Sequence, residues 1–181
     1  MQQMILAISN HLRYNFKDNL QLVEFNQEIE HVQNYMNIQR IAHHIPPLCE
    51  WNVDQVLMGF ALPPLSIQTF VENSVKYAAK PNEQLRIRIK AVILESEEGN
   101  YVDITIQDNG NGFEEETLKE LNCGDTTMYT DIHVGLSNLH HRLSMLYGDK
   151  AWLAFFNTEE GAAAEMILPL SSKWHREMEK R

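Results

Sequence analysis

Cysteine is scarce: the 181 residues contain two, Cys49 and Cys123, far apart and in no C-x-x-C pattern. That spacing argues against a disulfide framework or a zinc site and leaves two free, buried thiols in a reducing compartment as the expectation. No apolar run approaches the roughly 20 residues of a membrane-spanning helix, and no signal-peptide pattern opens the chain. The segment is therefore expected to be soluble and cytoplasmic, with any anchor lying elsewhere, and to make no direct membrane contact. Internal repeats and low-complexity tracts are absent, which excludes a solenoid or array. Positive charge is in deficit, with 15 Lys and Arg against 25 Asp and Glu and a formal net charge of −10. Such a field repels nucleic acid, and a small anionic ligand needs local donors or a metal to bind.

What is present suffices for a packed core, since hydrophobic residues make up 44% and charged residues 22% of the chain. Met4, Ile5, Ile8 and Leu12 recur at helical spacing between Gln3 and Asn15, and residues 16–22 read as a polar connector. Asn26 suits an N-cap, with Glu28 and Glu30 in the first turn where the helix dipole favours acids. Ile29, Val32, Met36 and Gln39 continue that helix to a stop before Pro46-Pro47. Leu48 to Asp54 reads as a short strand, and Pro63-Pro64 opens a helix to about Ala79 with a stripe of Ile67, Phe70, Val71, Ser74, Val75 and Ala78. Strict alternation marks strands from Leu85 to Ile93 and from Tyr101 to Gln107, joined as an antiparallel hairpin with one wet face. A helix at about Glu114–Leu121, an irregular stretch from Asn122 to His133, a helix from Gly135 to Tyr147 and two strands, Ala151–Phe156 and Ala163–Leu168, complete the pattern. The expected fold is α+β: a two-layer sandwich with a mixed, mostly antiparallel sheet and helices on one face. Residues 1–20 read as a separate helix and connector, 21–170 as the domain and 171–181 as a charged tail.

Three elements carry chemistry. On the Pro63–Ala79 helix, Asn73, Lys76 and Tyr77 sit at i, i+3 and i+4 and share a face. An amide oxygen suits magnesium and a lysine one turn on meets phosphates, although a solvated helix flank reads the same way. Asp108-x-Gly110-x-Gly112 ends a strand, so a carboxylate able to accept from an exocyclic amine stands beside two residues without Cβ; an ordinary turn has the same composition. Val134-Gly135-Leu136-Ser137-Asn138 opens a helix, where free N–H groups and the dipole favour phosphate, or where Ser and Asn merely cap.

The order of these elements decides between the readings. An E-N-x-x-K helix, a strand ending in D-x-G-x-G, a loop and G-L-x-N opening a helix resemble the N, G1 and G2 boxes of the GHKL ATPase superfamily. The stretches LPPLSIQTFVENSVKYA, DNGNGF, VGLSNLHHRLSMLYG and EIEHVQNYMNIQR are similar to sensor histidine kinases of the LytS/YesM type, over about Met1 to Leu170. The resemblance implies a Bergerat-type sandwich binding ATP with Mg²⁺ beneath a lid at residues 122–133. Carried over by position, Asn73 would hold magnesium, Lys76 would meet phosphates, Tyr77 would lie near ribose or adenine, and Asp108 would accept from the adenine amine. Gly110 and Gly112 would give the base room; Gly135, Leu136 and Asn138 would complete the phosphate end, with Gly124, Thr126 and Thr127 as lid contacts.

Three positions depart from the pattern. His133 stands where a glycine precedes the G-L pair by two, Ala42 stands where an arginine is usual, and Thr69 replaces the glutamate base of hydrolytic relatives. The phosphoacceptor box lies upstream of what this chain matches, and none of the eight histidines, His11, His43-His44 and His140-His141 among them, has its setting. The expectation is thus a catalytic domain of a two-component sensor histidine kinase. It would donate the γ-phosphoryl of ATP to a histidine of an upstream dimerisation domain, in a homodimeric protein that then serves a response regulator. A nucleotide-insensitive interaction module on the same sandwich is the alternative, and His133 is the feature that favours it.

Overall fold

The computed structural model describes residues 22–97, 99–123 and 134–170. A five-stranded sheet forms one layer, in the order β2 (Leu48–Val53), β4 (Arg86–Leu94), β5 (Tyr101–Asp108), β7 (Ala162–Pro169), β6 (Trp152–Asn157). Only β2 and β4 run parallel; the other three pairs are antiparallel. β1 (Val23–Glu24) and β3 (Ala61–Leu62) form a separate antiparallel pair. Helices α1 (Phe25–Ala42), α2 (Gln68–Tyr77), α3 (Glu115–Asn122) and α4 (Val134–Tyr147) complete the described residues, with 3-10 turns at Gln55–Gly59 and Gly148–Lys150.

Alternation sets the layers. Ile87, Ile89 and Ala91 of β4 and Val102, Ile104 and Ile106 of β5 are buried, while Arg86, Arg88 and Lys90 are exposed on the opposite face. Phe25, Val32 and Met36 of α1, Phe70, Val71 and Val75 of α2 and Leu136, Leu139 and Leu143 of α4 close over the inner face in one cluster. The outer face stays wet, as expected of an antiparallel sheet, and Arg88 there pairs with Glu160 at 2.7 Å and Glu50 at 3.6 Å. Both are exposed pairs, which solvent screens.

Three expectations are corrected. Asn26 is not an N-cap: α1 begins at Phe25, after an extended Glu24 that makes no side-chain cap. The reason is the β1–β3 pair, which holds the chain extended through Glu24 and leaves the Phe25 N–H to donate to the Phe60 carbonyl at 2.8 Å. The central helix does not begin at Pro63-Pro64 but at Gln68, after a turn in which Leu65 takes a left-handed φ of 65°. Glu28 does lie in the first turn, as expected, and is fully buried there. The thiols differ too: Cys123 is exposed just past α3, whereas Cys49 faces the core and burial, reinforced by the charge of Glu50, pushes its thiol up to about 12. The expected helix at 3–15, the tail at 171–181 and most of the 122–133 stretch lie outside the described residues.

Candidate functional site

Asp108 ends β5 on the inner face and is 6% exposed. A carboxylate in such a place needs hydrogen-bond donors, because burying an unpaired charge costs several kcal/mol or more. Three are present. Its Oδ2 accepts from the Ser74 hydroxyl at 2.8 Å, and its Oδ1 accepts from the N–H groups of Gly110 at 2.9 Å and Ala162 at 3.3 Å. An ionised carboxylate offers about four acceptor positions, so this one is fixed in orientation with acceptor capacity to spare.

A cavity of about 460 Å³ opens above it, within the range of small-molecule sites. α2 supplies Asn73, Ser74 and Tyr77 to one wall; Gly112, Phe113 and Thr117 form another. Leu136 of α4 and Phe155 of β6 close the apolar side, and three consecutive alanines, Ala162 to Ala164, line it from β7. Phe155 is wedged by Phe70 and Phe113, each with ring centroids 6.0 Å away. A slot with apolar walls and one buried acceptor suits a flat ring that carries an amine.

The expected residues divide. Asn73, Tyr77, Asp108, Gly112 and Leu136 line this one cavity. Gly110 lies beneath it: a Cβ there would stand 2.5 Å from the Ala78 Cβ, so its missing side chain lets the loop pack on the end of α2. Gly112 has φ of 80°, and a Cβ would stand 2.7 Å from Asn157 Oδ1. Lys76 points along the exposed rim, its ammonium 4.7 Å from the Tyr77 ring centroid. Gly135 and Asn138 are exposed on α4 and do not line the cavity; a Cβ on Gly135 would approach Thr69 Cγ2 to 3.2 Å. Gly124, Thr126, Thr127 and His133 lie outside the described residues.

The model of the histidine kinase-, DNA gyrase B- and HSP90-like ATPase family matches residues 65–172, more than half of the chain and every residue of the cavity. The chain belongs to this ATPase family. A second model, described as histidine kinase, matches residues 1–44 and so includes α1. A sensor protein LytS of Oceanobacillus iheyensis is 30% identical over 173 residues, which is 93% of this chain and 29% of the relative. The chain thus spans less than a third of the curated relatives' length. Among solved structures, the catalytic domain of the histidine kinase ThkA in a nucleotide-free form superposes with a TM-score of 0.62 at 16% identity, covering 84% of this chain and 98% of that one. Full-length ShkA in complex with AMPPNP gives 0.56 at 18% identity, covering 92% and 35%. Identities this low show the fold, and the fold is that of a histidine kinase catalytic domain.

For a GHKL chain, the site contains residues that the motifs did not single out. Ser74 was placed in an apolar stripe, yet its hydroxyl anchors Asp108. Gly161 lies between the last two strands, and a Cβ there would collide with the Asp108 backbone. Asn157 holds Phe113 by both main-chain groups, accepting from its N–H at 2.7 Å and donating to its carbonyl at 3.0 Å. A polar residue inside an apolar helical stripe was the available signal for Ser74. Nothing local marks Gly161 or Asn157, because their partners lie some 50 residues away.

Proposed function

We propose that this chain is the ATP-binding catalytic domain of a sensor histidine kinase and supplies the γ-phosphoryl group to a histidine of an upstream dimerisation and phosphoacceptor domain. A response-regulator aspartate is the onward acceptor, in a homodimer whose catalytic part is cytoplasmic. The observation that carries the reading is the buried Asp108, oriented by Ser74, Gly110 and Ala162 at the base of an apolar slot. A free carboxylate acceptor there takes the exocyclic amine of adenine; the guanine carbonyl in the same place faces a like dipole and is rejected.

The other roles follow from position. Tyr77 stands at the mouth beside ribose or base, and Gly110 and Gly112 keep the loop low. Asn73 lines the cavity one turn before Lys76, which reaches the phosphates from the rim. Gly135, Leu136 and Asn138 belong to the phosphate end, where α4 begins. Among the described residues no three His, Cys, Asp or Glu side chains gather into a metal cage. Mg²⁺ would be held by the Asn73 amide together with waters and the nucleotide, since this ion typically keeps waters and shares its shell with phosphates. The ion supplies charge neutralisation; the protein's share is to position and exclude water.

The test is calorimetric titration with ATP and GTP, each with and without Mg²⁺, on the chain and on Asp108→Asn. Magnesium-dependent ATP binding, silence with GTP and at least a roughly tenfold loss in the variant are expected, the penalty of facing an amine with an amide. A folded parent that binds neither nucleotide would overturn this reading in favour of a nucleotide-insensitive interaction module.

A further inference from the structure

α1 falls in the segment matched by the histidine kinase model and α2 in the ATPase match. Beyond their shared apolar core, a buried carboxylate ties one to the turn before the other. Glu28 of α1 is 0% exposed; its Oε1 accepts from the Leu65 N–H at 2.7 Å and its Oε2 from the Ile67 N–H at 3.0 Å. Ile67 is the N-cap residue of α2 and provides no side-chain cap of its own. Both N–H groups precede Gln68, the first helical residue, so a carboxylate from another helix ties down the turn that leads into α2, beside the positive end of its dipole.

The turn so held is confined from every side. Leu65 has φ of 65°, a conformation that a leucine keeps only where its surroundings impose it. The Ser66 hydroxyl donates to the Pro63 carbonyl at 2.7 Å, and that of Thr69 to the Leu65 carbonyl at 2.6 Å. From α4, the buried Arg142 donates its Nη1 to the Pro64 carbonyl at 2.5 Å. Burial lowers the pKa of that guanidinium, and the charge of Glu28 opposes the loss. Within two turns of Ile67 come Asn73, on the cavity wall, and Ser74, on Asp108. An α-helix of ten residues moves as a rod, so a displacement of its first turn reaches both.

We infer that Glu28 is a positioning residue: through the Leu65 and Ile67 amides it sets where α2 presents Asn73 and Ser74. The position of α1 is thereby felt at the nucleotide site. The nucleotide part of the inference rests on the reading of the cavity given above; the placement of α2 does not.

Glu28→Gln tests it, because the amide keeps the shape but turns an NH₂ toward one of the two N–H donors. Mg²⁺-dependent ATP affinity, measured by calorimetry, is expected to fall by about tenfold or more, the scale of losing a charge-assisted hydrogen bond. Glu28→Asp, which keeps the charge on a shorter stem, recovers part of it and carries the test if the glutamine variant does not fold. Leu168→Ala is the control: it opens a cavity on β7 near the end that pairs with the start of β5, far from Asp108. It should lower the melting temperature without changing affinity. Amide hydrogen exchange of the unliganded proteins supplies a readout independent of ATP, with faster exchange through Asn73 and Ser74 in Glu28→Gln and none of that in Leu168→Ala. Unchanged exchange in α2, or a folded Glu28→Gln that binds ATP like the parent, overturns the inference. If the parent binds no nucleotide while α2 still loosens, the functional reading falls and the placement of α2 by Glu28 stands.

Discussion

Gly161 shows how one atom can decide the site. A Cβ there would stand 2.4 Å from the Asp108 carbonyl oxygen and 2.7 Å from the Gly110 nitrogen, and neither backbone atom can swing aside. Gly161→Ala is therefore expected to lose about 2–3 kcal/mol in urea unfolding, as overpacking does, and to weaken nucleotide binding with it. Gly59→Ala should be near neutral in the same assay, since a Cβ there meets nothing within 4 Å. Equal losses in the two variants would mean that crowding of Asp108 is not what Gly161 avoids. The sequence shows Asp108, Gly110 and Gly112 because they are local in one loop and their spacing has a mechanism. It hides Gly161 because the close approach is between β5 and β7, a relation of topology that no local pattern encodes.

At the scale of elements, the five strands of the main sheet were legible to within about one residue, since a half-buried sheet writes its faces as alternation, whereas the two-residue β1 and β3 are too short to show any. The starts of α1 and α2 were not. Asn26 has the right chemistry for a cap, but the β1–β3 pair, two residues on each side, takes over the start of α1. Pro63 is a reasonable first helical residue, but the carboxylate of Glu28 holds the next residues as a turn instead. The wet face of the sheet carries its own consequence. Glu165 of β7 stands opposite Thr105 of β5, with Asp103 the diagonal neighbour, and its carboxyl is raised above the ordinary range, first by burial and then by the charge of Asp103. The folded state thus binds the Glu165 proton more tightly than the unfolded chain does. Stability from this group is greatest in acid and falls as pH rises through the carboxylate range, so the residual penalty is complete at neutral pH. Glu165→Gln should raise the melting temperature at pH 7 by about a degree, the small size reflecting a largely solvated site, and leave it unchanged near pH 3.5. A gain of equal size at both pH values would point to packing rather than charge.

For the whole molecule, the question is where the folding unit begins. The ATPase match starts at residue 65, and a chain trimmed to that kind of boundary, for example one opening at Ile45, loses α1 entirely. Phe25 and Val32 are 0% exposed and Met36 9%, all within the same cluster as α2 and the sheet. Each buried side chain of that kind contributes roughly 1.5–3 kcal/mol, so three together contribute about 5–9. Removal also leaves the Leu65 and Ile67 amides without the Glu28 acceptor. A domain of this size is stable by only about 5–15 kcal/mol, so the trimmed chain is expected to lack a cooperative thermal transition and to show collapsed amide dispersion in its NMR spectrum. Restoring residues 22–44 should bring both back. If the Ile45 chain instead melts cooperatively, α1 is an accessory, and the inference that its position is communicated to the nucleotide site through Glu28 loses the shared core it depends on.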